Sequence, residues 1–84
     1  MRHRLVLYSR LDCCLCDEMK TIIRQLADRI PLELEEIDVD SSADLKQTYG
    51  EEVPVLFING RKAFKYQVTA RQLAARLRST WFRS

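Results

Sequence analysis

The stretch Leu5-Val6-Leu7-Tyr8-Ser9-Arg10-Leu11-Asp12-Cys13-Cys14-Leu15-Cys16 decides how this chain is read. Its four consecutive apolar residues ending at Ser9 suit a short strand buried on both faces of a parallel or mixed sheet. From Leu15 onward the apolar residues fall at Leu15, Met19, Ile22, Ile23, Leu26 and Ile30. That is a helical stripe, with Glu18, Thr21, Gln25 and Arg29 on another face, and it predicts a helix ending near Pro31. The cysteines therefore stand between the end of a strand and the first turn of a helix, where an open sheet presents its strand ends to ligands.

Downstream, Leu32-Glu33-Leu34-Glu35 alternates, and Ile37 and Val39 resume on the opposite parity, which predicts a strand with a bulge or an early exit. Ser41 followed by Asp44 resembles a capping box before a short helix, and Gly50 stands where a left-handed C-terminal cap is expected. Residues 53–58 are rich in β-branched and aromatic side chains and lead into Asn59-Gly60, a strong signal for a type I′ hairpin into residues 61–65. Thr69 with Gln72 is a second capping box, opening a last helix whose stripe runs Ala70, Leu73, Ala74, Leu77 and Trp81. The order β-α-β-α-β-β-α predicts an α/β three-layer sandwich on a mixed four-stranded sheet, with two right-handed crossovers and a terminal hairpin. Residues 1–84 read as a single domain. Tyr8, Phe57, Phe64 and Trp81 match core and strand positions and are expected to be structural.

Cys13 and Cys16 are spaced for disulfide exchange. A thiol at a helix N-terminus meets unpaired backbone N–H groups and the positive end of the helix dipole, which favour the thiolate. A second thiol one turn on is close enough to close a small ring and expel a bound partner. Cys16 lies in step with Met19, Ile23 and Leu26 and so faces inward as the resolving thiol, whereas Cys13 is expected to be exposed as the nucleophile. Arg10 is expected to favour its thiolate and Asp12 to oppose it. Cys14 shares the polar face with Glu18 and is expected to be exposed and off the reaction line. Other readings of the cluster are a metal or iron–sulfur site built from Cys13, Cys14, Cys16 and His3, ordinary buried cysteines, or a binding module without turnover.

Composition narrows the field further. The 84 residues carry a formal net charge of +2 with only two Gly and two Pro. That is an ordinary globular make-up, with too little excess charge to argue for nucleic acid. The ends are basic and the middle acidic, a pattern of solvated surfaces or of an anionic partner. No apolar run approaches the ~18 residues of a membrane span, and the N-terminal stretch does not read as a signal peptide. All three cysteines lie within four positions, unlike the dispersed framework of small secreted domains, so a reducing cytoplasm is the expected location. A monomer is expected.

Leu7-Tyr8-Ser9-Arg10 leading to Cys13-x-x-Cys16-Asp17-Glu18, followed by Tyr49-Gly50-x-x-Val53-Pro54-Val55-Leu56, resembles the small bacterial glutaredoxin-like proteins of the thioredoxin superfamily. The resemblance spans most of the chain. It implies a thioredoxin-like fold, a thiol–disulfide oxidoreductase activity with no bound cofactor, and glutathione as a reductant or co-substrate. It implies a cis Val53-Pro54 bond, with Pro54 against the active-site sulfurs and the backbone of Val53 pairing with an extended substrate segment. Arg10 matches the position of the basic residue that glutaredoxins place near the glutathione glycine carboxylate. Two departures stand out. Phe64-Lys65-Tyr66-Gln67-Val68-Thr69 replaces the Gly-Gly-acidic motif of the γ-glutamyl pocket, and neither the Cys-Pro-Tyr-Cys nor the Trp-Cys-Gly-Pro-Cys form of the redox motif is present. The substrates implied are a disulfide-containing protein or a glutathione-type disulfide.

Overall fold

The computed structural model describes residues 2–81, the side chains of residues 80 and 81 excepted. The elements are β1 (His3–Ser9), α1 (Cys14–Ala27), β2 (Leu32–Asp38), a single 3₁₀ turn (Val39–Ser41), α2 (Ala43–Tyr49), β3 (Val55–Ile58), β4 (Arg61–Lys65) and α3 (Ala70–Trp81). The sheet order is β2-β1-β3-β4. β1 and β2 run parallel, and β1–β3 and β3–β4 run antiparallel. The β-α-β-α-β-β-α order and the mixed four-stranded sheet are as the sequence predicts. The expected pair of crossovers is not: the β1-α1-β2 link makes parallel neighbours, but after α2 the chain enters β3 on the other side of β1 and antiparallel to it.

Alternation along β1 sorts the two layers. His3, Leu5, Leu7 and Ser9 are buried on one face, where Leu5 and Leu7 join Met19 and Ile23 of α1, Leu56 and Ile58 of β3, and Leu73 and Leu77 of α3 in one core cluster. Each such aliphatic side chain contributes roughly 1.5–3 kcal/mol by leaving water. The opposite face carries Tyr8, stacked on Tyr49 of α2 with ring centroids 4.5 Å apart. Phe57 stands edge-on to both rings.

Three local expectations change. α1 ends at Ala27, short of Pro31, because Arg29 and Ile30 both donate their N–H to Leu26 O and the last turn closes there, leaving Ile30 to tuck into the core. β2 has no bulge. It pairs with β1 without a break from His3↔Leu32 to Ser9↔Asp38, and the parity change arises because Leu32 and Leu34 pack on the core cluster with α1 and α3 while Ile37, paired with Tyr8, faces the α2 side. Val39 then leaves the strand and is fully buried in the 3₁₀ turn. Gly50 is right-handed at φ −54°, and the helix before it is capped at its N-terminus by Ser42 rather than Ser41. Glycine is needed there for space: a Cβ would fall inside contact distance of the Lys46 carbonyl oxygen.

Two turns form as the sequence predicts. Asn59 and Gly60 take φ of 51° and 86°, the left-handed values a type I′ turn demands. Thr69 and Gln72 close the start of α3 reciprocally, each side chain accepting the other's backbone N–H at 3.0 Å.

Candidate active site

β1 delivers the chain to the top of the sheet, and a tight corner at Leu11 and Asp12 turns it into α1. Asp12 sits at φ 58°, a left-handed conformation that Asp adopts more readily than most residues. Cys13 then takes the N-cap of α1, its carbonyl receiving the Asp17 N–H and its sulfur receiving the Cys16 N–H at 3.1 Å. A sulfur held there faces orphan donors of the first helical turn, so negative charge on it is stabilised once the disulfide is opened. Cys13 and Cys16 form a disulfide with a Cα–Cα distance of 5.2 Å. Cys16 is 1% exposed beneath it. Cys13 is half-buried rather than exposed, because its place at the cap tucks the sulfur against the helix start. Cys14 is free and exposed.

His3 begins β1, whereas the cysteines follow its other end, so the strand's length of about 20 Å separates them and a site combining all four does not assemble. Among the described residues no three His, Cys, Asp or Glu side chains are grouped to hold a metal ion.

Val53–Pro54 is a cis peptide bond, and Pro54 is fully buried. In the antiparallel register Tyr8 pairs with Val55, so Pro54 lies level with Ser9, at the same end of the sheet from which the chain departs toward Cys13. The Pro54 carbonyl accepts the Tyr66 N–H at 2.9 Å. Val53 is half-buried. Arg10, at the same end, is already engaged. Its Nε and Nη2 donate to the two Asp40 carboxylate oxygens at 3.2 Å each, and Nη1 donates to Gly50 O at 3.3 Å. The side chain thus ties the end of β1 to the 3₁₀ turn and to the end of α2.

Sequence reading missed a polar network under the corner. The Ser9 hydroxyl donates to Glu36 Oε2 at 3.1 Å, and Lys20 Nζ lies 2.8 Å from the same oxygen. The hydrogen bond from Lys20, reinforced by that from Ser9, holds the Glu36 carboxyl below the usual carboxylate range, although burial opposes it. The hydrogen bond to Glu36 raises Lys20 in turn, again against the effect of burial. These residues, with Arg10, Asp12, Asp17 and Asp38, line an open cleft of about 230 Å³ beside the cysteine corner. Glu36 breaks the apolar alternation of its strand at the position whose side chain reaches Ser9, which is the trace of the network in the sequence.

On the other side of α1, a groove of about 480 Å³ begins at Leu15, inside the cysteine motif. Leu15, Met19, Ile22 and Val68 give it an apolar floor, and Tyr66 stands at its edge 43% exposed. Leu11, 81% exposed, is the other large apolar side chain in the open near the cysteines.

A family model described as "Glutaredoxin-like domain (DUF836)" matches residues 4–78, nearly the whole chain and all of the geometry just described. The chain belongs to this glutaredoxin-like family. Solved structures agree. A protein from Nitrosomonas europaea is 32% identical, superposes with a TM-score of 0.77 and is aligned over 90% of this chain and 92% of its own. A structural-genomics target from X. campestris is 34% identical with a TM-score of 0.74, over 89% of this chain and 96% of its own. A mutant thioredoxin from Halobacterium salinarum, at 24% identity and a TM-score of 0.66 over 92% of this chain and 73% of its own, shares the fold. The glutaredoxin-like domain thus has a thioredoxin-like architecture with a Cys-x-x-Cys pair at the start of α1. Among its described residues no helix is long and apolar enough to cross a membrane.

Proposed function

We propose that this glutaredoxin-like domain is a thiol–disulfide oxidoreductase in which Cys13 is the nucleophile and Cys16 the resolving thiol. In the reduced protein the Cys13 thiolate attacks one sulfur of a substrate disulfide, forming a Cys13–substrate mixed disulfide and releasing the other substrate sulfur as a thiolate that takes up a proton. Cys16, after losing its proton, attacks the Cys13 sulfur. The second substrate sulfur leaves as a thiolate, and Cys13–Cys16 is re-formed. Two electrons pass to the substrate, and two thiol equivalents, from glutathione or a dithiol protein, restore the reduced pair.

The observation that carries this reading is the Cys13–Cys16 disulfide at the mouth of α1, with Cys13 as N-cap and Cys16 enclosed. The half-buried sulfur accepts a backbone N–H, which suits a nucleophile, and the enclosed one can be reached from its neighbour but not by an outside disulfide. Val53 and Pro54 at the same sheet end are the substrate side of the site, the Val53 backbone pairing with an extended substrate segment. Arg10 contributes a substrate-facing cation only by exchanging Asp40 for a substrate carboxylate, so its first role is to hold the corner. No bound cofactor takes part. The domain works as a monomer in a reducing compartment, the cytoplasm.

Single-cysteine variants test the assignment. Cys16→Ser accumulates a mixed disulfide through Cys13 when mixed with hydroxyethyl disulfide, detected as a mass increment on the Cys13 peptide. Cys13→Ser gives neither the adduct nor turnover. An adduct on Cys14 in place of Cys13, or turnover retained in Cys13→Ser, overturns the roles.

A further inference from the structure

The groove that starts at Leu15 has no part in the exchange chemistry, yet it opens from the middle of the redox motif. Its lining combines three features. The floor is apolar, from Leu15, Met19, Ile22 and Val68. Glu18 is the one charged residue among those lining it, and its carboxylate, on the exposed face of α1, makes no hydrogen bond or ion pair among the described residues. Tyr66 closes the edge in a conformation that bulky residues avoid, φ 70°. Left-handed backbone is unfavourable for a residue of this kind, and such positions persist where the surroundings hold them. Here the Tyr66 N–H is fixed on the carbonyl of Pro54, which couples the ring's placement to the substrate side of the site. That ring already draws a cation, with Lys65 Nζ 5.3 Å from its centroid.

An apolar floor, an aromatic edge and an uncompensated carboxylate at the rim match one side-chain chemistry: a long aliphatic stem carrying a positive charge. An anionic group is less suited to it. The reciprocal Thr69–Gln72 cap already occupies two N–H groups at the start of α3, the bordering helix end, and Glu18 repels it. Resting on the redox reading above, we propose that this groove is a specificity subsite for a Lys or Arg side chain next to the substrate cystine, so that the preferred substrates are protein disulfides flanked by basic residues rather than anionic small disulfides. Glu18 and Tyr66 are the specificity residues: the carboxylate pairs with the cation, and the ring and the aliphatic floor cover its stem.

Three synthetic disulfide peptides test this, identical except for Lys, Gln or Glu beside the cystine, each assayed for kcat/KM at low ionic strength. An exposed ion pair and a cation–π contact each favour the Lys peptide by roughly two- to fivefold. With repulsion of the Glu peptide added, the Lys peptide is expected to react about tenfold faster than the Glu peptide, with the Gln peptide between. Glu18→Gln is expected to shrink that ratio to roughly threefold or less, and high salt to do the same in the wild type. Tyr66→Ala lowers the rate of the Lys peptide more than that of the Gln peptide. Equal rates for the three peptides, a preference for the Glu peptide, or a Lys-over-Glu ratio that stays near its wild-type value in Glu18→Gln overturn the subsite while leaving the redox reading in place. No reduction of any of the three overturns the redox reading and the subsite with it.

Discussion

Replacing Arg10 with Gln removes the clamp at the cysteine corner, and its effect follows from contacts already described. The guanidinium makes a two-pronged pair with Asp40 and a third bond to the Gly50 carbonyl. Both charged side chains are more than a third exposed, at 38% and 37%, so solvent screens the pair and its contribution is the ~0.5–1 kcal/mol of a well-aligned surface ion pair. The bond to Gly50 O is long at 3.3 Å and half-buried, worth about 0.5 kcal/mol. The expected loss is about 1–1.5 kcal/mol, which in a domain of this size lowers Tm by roughly 4–12 °C. Thermal unfolding followed by far-UV circular dichroism measures it, in a cycle of Arg10→Gln, Asp40→Asn and the double variant. Asp40→Asn alone is expected to cost less, since the Gly50 bond survives, and the cycle to return a coupling of ~0.5–1 kcal/mol that 1 M salt largely removes. Additive single effects, or a Tm for Arg10→Gln within 1 °C of wild type, would show that Arg10 does not hold the corner.

Other consequences are open to simpler assays. Burial holds His3 below the ordinary imidazole range. The unfolded chain therefore binds the proton more readily, so stability is complete above the unfolded pKa of about 6.5 and is lost as pH falls from there through the folded value. Urea midpoints measured from pH 7.5 to 5 should decline in wild type and stay flatter in His3→Gln. Leu73 is fully buried in the core cluster, and Leu73→Ala is expected to cost about 2–5 kcal/mol by urea unfolding, a large part of what a small domain has. Gly50→Ala is expected to lose roughly 1–3 kcal/mol, because the added methyl meets the Lys46 carbonyl. An increase in stability, the usual result of Gly→Ala in right-handed backbone, would contradict that account.

The features that were legible in the sequence are those whose causes are local. Asn59-Gly60 makes its turn because two adjacent residues tolerate positive φ, Thr69 and Gln72 cap α3 across three positions, and Cys13 and Cys16 are one helical turn apart. The inward face of Cys16 followed from its step with Met19 and Ile23. What the sequence hid depends on contacts between distant segments. Arg10 reads as a loose cation beside the cysteines until the 3₁₀ turn brings Asp40 to it. The parity change after Glu36 looks like a bulge or an early exit until the register shows that β2 feeds both layers. Gly50 reads as a left-handed cap, although its reason is the closeness of the Lys46 carbonyl. Tyr66 lies in the segment, residues 64–69, that departs from the Gly-Gly-acidic motif the resemblance would imply, and only the fold shows that it borders a groove opening from the redox motif. The cis bond at Val53–Pro54 was implied by the resemblance alone; nothing in the residue spacing points to it.

The most direct test of the central claim is a redox titration of the native protein across glutathione buffers, with Cys13 and Cys16 followed by differential alkylation and mass spectrometry, in wild type and in Cys14→Ser. A single reversible two-electron transition is predicted, linking Cys13 to Cys16 with a midpoint between about −270 and −200 mV and unchanged by the loss of Cys14. Failure of the Cys13–Cys16 disulfide to form at any poise, or a transition that disappears in Cys14→Ser, would contradict it.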